Sequence, residues 1–233
     1  MIPNKQHIAA IIPAAGVGKR MAADKPKQYL LLNQQTILEH TVALLLSHPA
    51  IDRVVVVLGK DDIYFNQLPL ASHSQVSTVT GGAERVNSVM AGLASITEEW
   101  VMVHDAARPC VSLSDIDNLI VQAQQHPNGA ILASPVRDTM KRAAENGVIE
   151  HTVCREHLWH ALTPQMFRTE SLKIALQQAM QQGVNITDEA SAMEHCGLAP
   201  MLVRGRSDNI KITQPEDLAL ADFYLQQRAK ERS

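Results

Sequence analysis

The stretch IIPAAGVGKRMAADKPKQYL, residues 11–30, decides the fold, because an apolar run ends at a proline and gives way to small, glycine and basic residues. The run that leads into it, HIAAII over residues 7–12, predicts a buried β-strand. Similar short apolar runs recur along the chain, with helical periodicity between them. We predict further strands over 53–59, 75–82, 99–105, 129–136 and 199–205, and helices over 36–48, 83–96, 114–126, 168–183, 187–197 and 214–232.

The alternation of strands and helices predicts an α/β fold, with a mostly parallel Rossmann-like sheet covered by helices on both faces. In such sheets ligands bind beyond the carboxyl ends of the strands, so the residues that follow each strand are the informative ones. We expect Ser114 to cap one helix, and Thr187 with Ala190 to occupy the capping positions of another. No repeat or linker is evident, so residues 1–233 are expected to form a single domain.

The segment 136–156 interrupts this alternation. It holds two short polar, strand-like runs on either side of ENG at 145–147, which is a hairpin signal. The segment has too few apolar residues to bury itself well. It therefore predicts a projecting β-hairpin arm, which either packs on a second subunit or is simply exposed.

Composition excludes several classes of function. A net charge of −3, from 21 basic and 24 acidic residues, argues against a protein that binds duplex nucleic acid. No stretch approaches the ~20 apolar residues of a membrane helix, and we expect no membrane partner. The three cysteines are far apart in the sequence and indicate neither a disulfide framework nor a metal site, which favours a cytoplasmic location.

The segment after the first predicted strand, residues 13–27, is called the first loop here. It has the composition of a phosphate-binding loop. It matches neither a Walker A loop, since Arg20 replaces Ser or Thr, nor a dinucleotide fingerprint, since Met21 replaces the third glycine. Small residues nevertheless let backbone N–H groups approach an anion, and basic side chains follow them. The small residues are Ala14, Ala15, Gly16 and Gly18, and the basic ones are Lys19, Arg20, Lys25 and Lys27. The alternative is a solvated basic loop.

The motif HDAARP at 104–109 follows a predicted strand. A carboxylate at the position of Asp105 suits Mg²⁺, which is held by one or two carboxylates and by phosphate oxygens. The alternative for Asp105 is a helix cap or a buried ion-pair partner. Arg108 could bind a second anion, whereas Lys211 by itself predicts only a surface lysine. Together with the first loop, these residues indicate phosphoryl or nucleotidyl transfer, in which the substrate brings its own nucleophile.

Several motifs occur together and in one order between about residues 8 and 224. They are PAAGVGKRM, PKQYL, ILEHTV, HDAARP, SPVRDTMKR, HALTPQ, TDEASA and DNIKITQPEDL. In this set the chain resembles the 2-C-methyl-D-erythritol 4-phosphate cytidylyltransferase family. The resemblance implies a fold of the nucleotidyltransferase type and the transfer of a cytidylyl group from CTP to methylerythritol phosphate, with release of pyrophosphate, in the non-mevalonate isoprenoid pathway. It also implies Mg²⁺ as the cofactor and a homodimer that forms through the arm.

The resemblance implies a role for each matching residue. Those implied to bind the nucleotide are Pro13, Ala14, Ala15, Gly16, Gly18, Gly82 and Ser88. Those implied to be catalytic are Arg20, Lys27 and Lys211, and those implied to bind the acceptor are Asp105, Arg108, Thr139, Arg155, Thr163 and Lys211. Asp105 is also expected near the metal. Thr139 and Arg155 are expected to reach the partner's site from the arm.

This sequence departs from the family pattern at two positions where the family often has an acidic residue. Ala83 follows Gly82 and should matter little if Gly82 acts through its backbone, whereas Cys154 precedes Arg155 and bears on how that guanidinium is oriented. Three alternatives stay open at this point. They are a cytidylyltransferase for ribitol 5-phosphate or a related polyol phosphate, a nucleotide-binding protein without catalysis, and a nicotinamide-dependent oxidoreductase.

Overall fold

The structure is a computed structural model that describes residues 7–16 and 24–231, except for the side chain of residue 231. Its strands are β1 Ile8–Pro13, β2 Leu31–Leu32, β3 Gln35–Thr36, β4 Ile51–Leu58, β5 Val76–Thr80, β6 Trp100–Val103, β7 Ala130–Pro135, β8 Met140–Ala143, β9 Ile149–Val153, β10 Trp159–Arg168 and β11 Met201–Arg204. Its α-helices are α1 Ile37–Leu46, α2 Arg85–Ala94, α3 Leu113–Gln125, α4 Thr169–Gln181, α5 Glu189–His195 and α6 Glu216–Glu231. Short 3₁₀ helices span Lys27–Tyr29, Phe65–Gln67 and Pro69–Ser72.

Seven strands form the main sheet in the order β11-β7-β10-β6-β1-β4-β5. All neighbouring pairs are parallel except the two that β10 makes, with β6 and with β7. β1 lies between β4 and β6, with Ile11 opposite both Val55 and Val103. The mostly parallel sheet predicted from the sequence is confirmed. The first loop follows β1, which is next to the central strand of the sheet.

The strand β1 shows why both faces of the sheet are covered. Ile8, Ala10 and Ile12 pack on one face against α1 and α3, whereas Ala9 and Ile11 pack on the other against α2. Successive side chains of a strand point to opposite faces, so an unbroken apolar strand requires a helical layer on each side. All five side chains are fully buried, as this arrangement requires.

The strand β10 is absent from the sequence-based prediction, and this is the main correction to it. It is antiparallel to both neighbours, and its register with β7 shifts between Ala161 and Gln165. Its residues HALTPQ contain a proline and polar side chains, so they lack the continuous apolar pattern of the other central strands. The short hairpin of β2 and β3 was also not predicted.

Two predicted helix caps are wrong by one or two residues. Ser112, rather than Ser114, caps α3 and accepts the Asp115 N–H at 3.1 Å. The capping pair of α5 is Asp188 with Ser191, rather than Thr187 with Ala190, and Asp188 accepts the Ser191 N–H at 2.9 Å. In both cases another side chain of the preferred capping type lay close by in the sequence.

The predicted hairpin is present as the strands β8 and β9, which we call the arm together with their flanks over 136–156. Ala144 N–H donates to Val148 O at 2.9 Å across the turn. Gly147 completes the turn with a φ of +81°, a left-handed conformation that glycine adopts at little cost. Among the described residues, no helix has the length and apolar content needed to cross a membrane.

Candidate active site

A cavity of about 220 Å³ opens at the carboxyl ends of β1 and β6, between the first loop and the start of α2. Its walls include backbone from the first loop and from the turn before α2, together with charged side chains from three other segments. The lining residues used below are Pro13, Ala14, Ala15, Gly16, Lys27, Gly82, Arg85, Ser88, Asp105 and Lys211. The structure therefore brings together all the predicted nucleotide-binding residues that it describes. Gly18 and Arg20 lie outside the described residues.

The backbone on both sides of this first cavity is held in place. Ala14 N–H donates to Val57 O at 2.8 Å, and the Gln28 side chain donates to Ala14 O at 2.6 Å. Across the cavity, a Cβ on Gly82 would lie 2.4 Å from the Asn87 Cβ, which is too close for any side chain. Position 82 therefore accommodates only glycine, which lines the cavity with its backbone.

Lys27 and Lys211 line the first cavity. Lys27 contacts the backbone of the residue that follows Lys211, in the segment that precedes α6. Lys27 Nζ donates to Ile212 O at 2.8 Å, and Lys211 Nζ lies 2.8 Å from Asp105 Oδ2. Lys211 thus lines the cavity and pairs with Asp105, so it is not the isolated surface lysine that its own sequence environment indicates. Two ammonium groups at one cavity are suited to neutralising phosphate oxygens.

Asp105 is the negative centre of the site. Its carboxylate lies 2.8 Å from Lys211 Nζ, 3.4 Å from Arg108 Nε and 3.5 Å from Arg85 Nη2. Burial by itself would raise the pKa of Asp105, but the three neighbouring cations hold that pKa well below its usual range. The carboxylate is therefore ionised throughout the physiological pH range.

These contacts do not test the expected role of Asp105 as a magnesium ligand, which stays a prediction. Three cations already face this carboxylate, and the other acidic side chains that line the two cavities are Glu84 and Asp188. Within the described part of the chain, no three His, Cys, Asp or Glu side chains are grouped so that they could hold a metal ion. A magnesium ion here would also take ligands from phosphate oxygens. The buried ion pair, which the sequence left open as an alternative, accounts for these contacts.

A second cavity, of about 250 Å³, adjoins the first. The two share Arg85, Asp105 and Lys211 as lining residues, and the second adds Arg108 and Thr163. Arg108, Thr163 and Lys211, which were predicted to bind the acceptor, are therefore brought together around one space. Two adjoining cavities with a shared charged wall can hold two substrates with their reacting ends close together.

Sequence reasoning missed a buried ion pair behind that shared wall. Arg85 donates to both oxygens of Glu189, at 2.6 and 3.0 Å, and Glu189 is only 1% exposed. Burial lowers the pKa of Arg85, but Glu189 and the nearby aspartates raise it more, so the guanidinium stays charged. Glu189 lies in the motif TDEASA, but its partner is 104 positions away in the sequence.

Thr139 and Arg155 do not join either cavity within one chain. Both are exposed, and the Arg155 guanidinium donates to the Arg137 carbonyl at the base of the arm. Of the predicted site residues that the structure describes, only these two lie apart from the rest.

The fold and the site define a class of protein. The sheet is mostly parallel, and a loop of small residues follows its first strand. Together with the lysine pair and the two adjoining cavities, this is the arrangement of a nucleotidyltransferase. Comparison with known proteins gives the family. The family model described as "IspD: 2-C-methyl-D-erythritol 4-phosphate cytidylyltransferase" matches residues 8–227, and the chain belongs to this family.

Individual relatives agree with this assignment. The chain is 62% identical to the 2-C-methyl-D-erythritol 4-phosphate cytidylyltransferase of Vibrio atlanticus, over 97% of this chain and 99% of that protein. It is 59% identical to the protein of that name from Photobacterium profundum, over 97% and 99%. Among solved structures, the Francisella tularensis protein of the same name aligns with a TM-score of 0.81 and 36% identity, over 94% of this chain and 100% of that one.

Proposed function

We propose that this chain transfers the cytidylyl group of CTP to 2-C-methyl-D-erythritol 4-phosphate. The products are 4-diphosphocytidyl-2-C-methyl-D-erythritol and pyrophosphate, in the non-mevalonate isoprenoid pathway. The observation that carries the proposal is the pair of adjoining cavities with Arg85, Asp105 and Lys211 in their common wall. CTP occupies the first cavity and the acceptor phosphate occupies the second.

In the reaction, an oxygen of the acceptor phosphate attacks the α-phosphorus of CTP. A new P–O bond forms, the bond to the β-phosphate oxygen breaks, and pyrophosphate leaves with the electron pair. Because the acceptor supplies the nucleophile, the protein contributes position and positive charge. Lys27 and Lys211 supply charge where negative charge grows on the α-phosphoryl oxygens, and the family resemblance adds Arg20 to this set.

Magnesium belongs to the proposal as the partner of the triphosphate. Because Asp105 faces three cations, we assign the metal's ligands to the nucleotide's phosphate oxygens and not to this carboxylate. Bound magnesium supplies further neutralisation of the triphosphate charge. Asp105 instead holds Lys211 and Arg108 in place and is available to accept a hydrogen bond from a hydroxyl group of the acceptor.

The arm completes the site in a homodimer. Thr139 and Arg155 are exposed and line neither of their own chain's two cavities, and the exposed side chains of the arm include Met140, Val148 and Ile149. An exposed apolar surface on a hairpin without a core of its own suits a partner subunit. We propose that each arm brings Thr139 and Arg155 to the other chain's second cavity.

The cysteines Cys110, Cys154 and Cys196 are free thiols, in keeping with the proposed cytoplasmic location.

The test is pyrophosphate release with magnesium and methylerythritol phosphate, with CTP, UTP, ATP and GTP offered in turn. We expect release with CTP far above the others. A parallel reaction supplies ribitol 5-phosphate, and the family assignment predicts a much lower kcat/KM for it. Absence of release with CTP from a folded protein would refute the proposal, and preference for ribitol 5-phosphate would replace the acceptor.

A further inference from the structure

Four buried residues form a closed ring of hydrogen bonds behind the second cavity. His104 Nε2 lies 3.0 Å from Arg108 O, and His104 Nδ1 lies 2.9 Å from Thr163 Oγ1. Asn209 Nδ2 donates to Thr163 O at 2.8 Å, and Arg108 Nη1 donates to Asn209 O at 2.8 Å. The ring therefore joins three segments of the site, and none of its four residues is more than 8% exposed.

The partners of His104 fix the direction of its hydrogen bonds. A carbonyl oxygen can only accept, so Nε2, which faces Arg108 O, carries a proton. His104 is completely buried, and burial is the main reason that its pKa is lowered to about 4. The imidazole is therefore neutral, and its Nδ1 is an acceptor. It follows that the Thr163 hydroxyl donates its only hydrogen to His104.

This leaves Thr163 with one kind of hydrogen bond to offer a ligand. Its Oγ1 also accepts the Asp105 N–H at 3.1 Å, which occupies one of its two lone pairs. The remaining lone pair can accept a hydrogen bond but cannot donate one. A phosphate oxygen of the acceptor, which only accepts, has no favourable contact there, whereas a hydroxyl group of the polyol does.

We propose that His104 is a positioning residue that makes Thr163 an acceptor for a hydroxyl group of the polyol, and so turns the phosphate end of the substrate toward Lys211 and Arg108. This inference rests on the proposed function, because it concerns the acceptor of that reaction. Through the ring, His104 also holds the loop that carries Arg108 and the segment that carries Lys211.

The hydrogen-bond directions can be measured without any reaction. In ¹⁵N-labelled protein, the His104 imidazole is expected to show the neutral Nε2–H tautomer at neutral pH. An imidazolium, or a ring with its proton on Nδ1, would overturn the inference. This readout holds even if the chain transferred a different nucleotide, so it separates this inference from the proposed function.

Two variants of His104 separate its two hydrogen bonds. His104→Asn places an amide oxygen near the Nδ1 position and can still accept from Thr163, whereas His104→Gln places its amide near Nε2 and keeps only the bond to Arg108 O. We expect His104→Gln to raise the KM for the polyol phosphate about tenfold, with the KM for CTP changed less than about twofold. His104→Asn should recover most of that loss.

Thr163→Val provides the second half of a double-mutant cycle. It should raise the KM for the polyol phosphate as His104→Gln does, and the double variant should be no worse than Thr163→Val alone, because both changes remove one interaction. Thr163→Ser keeps the hydroxyl and should reverse most of the increase in KM that Thr163→Val causes. Additive losses, or equal losses in both KM values with a matching fall in thermal stability, would mean that His104 has only a structural role.

Discussion

At the scale of single residues, charge balance decides how the site is built. Arg85, Arg108 and Lys211 surround Asp105, and Glu189 takes up a share of the charge of Arg85. Arg85 and Lys211 present positive charge to both cavities, and Arg108 presents it to the second. Without the carboxylates the three cations would repel one another in a partly buried wall.

Lys27 gives the most direct test of charge stabilisation in the transition state. Lys27→Ala should lower kcat by about 10²- to 10³-fold and change the KM for CTP by less than about threefold, because its charge is needed most when the α-phosphoryl group is transferred. Steady-state pyrophosphate release measures both constants. Lys25→Ala is the matched control, since Lys25 lies two residues away and lines neither cavity. Wild-type turnover in Lys27→Ala would remove Lys27 from the mechanism.

The assignment of magnesium to the nucleotide predicts how the metal binds. Calorimetry should detect no saturable Mg²⁺ binding to the protein alone at millimolar metal, and clear binding once a non-reactive CTP analogue is present. Asp105→Asn should lower the rate but leave the magnesium concentration at half-maximal rate within about twofold of the wild-type value. Asp61→Asn, at an exposed carboxylate, is the control. A magnesium requirement raised tenfold only in Asp105→Asn would restore Asp105 as a ligand.

At the scale of elements, β10 shapes the site most and was the element that the sequence concealed. It lies antiparallel between β6 and β7 and places Thr163 beside Asp105. A turn with Gly129 precedes β7 and packs against β10. A Cβ on Gly129 would lie 2.4 Å from Met166 O and 2.7 Å from a ring carbon of Phe167.

Gly129→Ala should therefore destabilise the sheet where β7 meets β10. Gly129 has a φ of +74°, so alanine adds backbone strain as well as these two clashes. We expect a loss of about 3 kcal/mol or more in the free energy of unfolding, measured by urea titration. Gly183→Ala is the control, because Gly183 has a φ of +66° but open space around its Cβ position, and about 1 kcal/mol is expected there. Equal losses in the two variants would mean that contact with β10 is unimportant.

The sequence predicts the features that depend on residues close together in the chain. Most of the parallel strands are predicted by their apolar runs, and the hairpin at 145–147 is predicted by its turn residues. These elements were therefore predicted correctly. The strand β10 was not, because Thr163 and Pro164 interrupt its apolar pattern. The loop residues of the first cavity were predictable from composition and motif. The pairing of Arg85 with Glu189, and the three cations around Asp105, depend on contacts between distant segments that no local pattern encodes.

At the scale of the whole molecule, the arm connects two active sites in the proposed homodimer. Each of the proposed sites takes its first-cavity residues from one chain and Thr139 and Arg155 from the other. The functional unit is then the dimer, and the two faces in contact are related by a twofold axis. A substitution in the arm of one chain should therefore lower the activity of its partner's site.

Mixed dimers test this sharing of residues. Neither Lys27→Ala nor Arg155→Ala homodimers should turn over well, but a heterodimer of the two contains one site in which both residues are intact. Random reassembly from equal amounts makes half of the dimers mixed, so about a quarter of all sites should regain activity. Lys27→Ala reassembled with itself is the control. If mixing restored nothing while exchange of subunits was demonstrated, each site would have to be built within one chain.

The arm is also the far end of one long hairpin whose near half is part of the sheet. Pro135 of β7 lies opposite Trp159 of β10, Val136 N–H donates to Leu158 O, and the chain then continues outward into β8 and returns along β9. Residues can therefore be gained or lost at the tip without shifting either sheet strand in its register. The proposed contact surface between two copies can accordingly change in sequence at a different rate from the residues around the two cavities. Two diverged copies in one cell could keep their assemblies separate by changes in the arm alone.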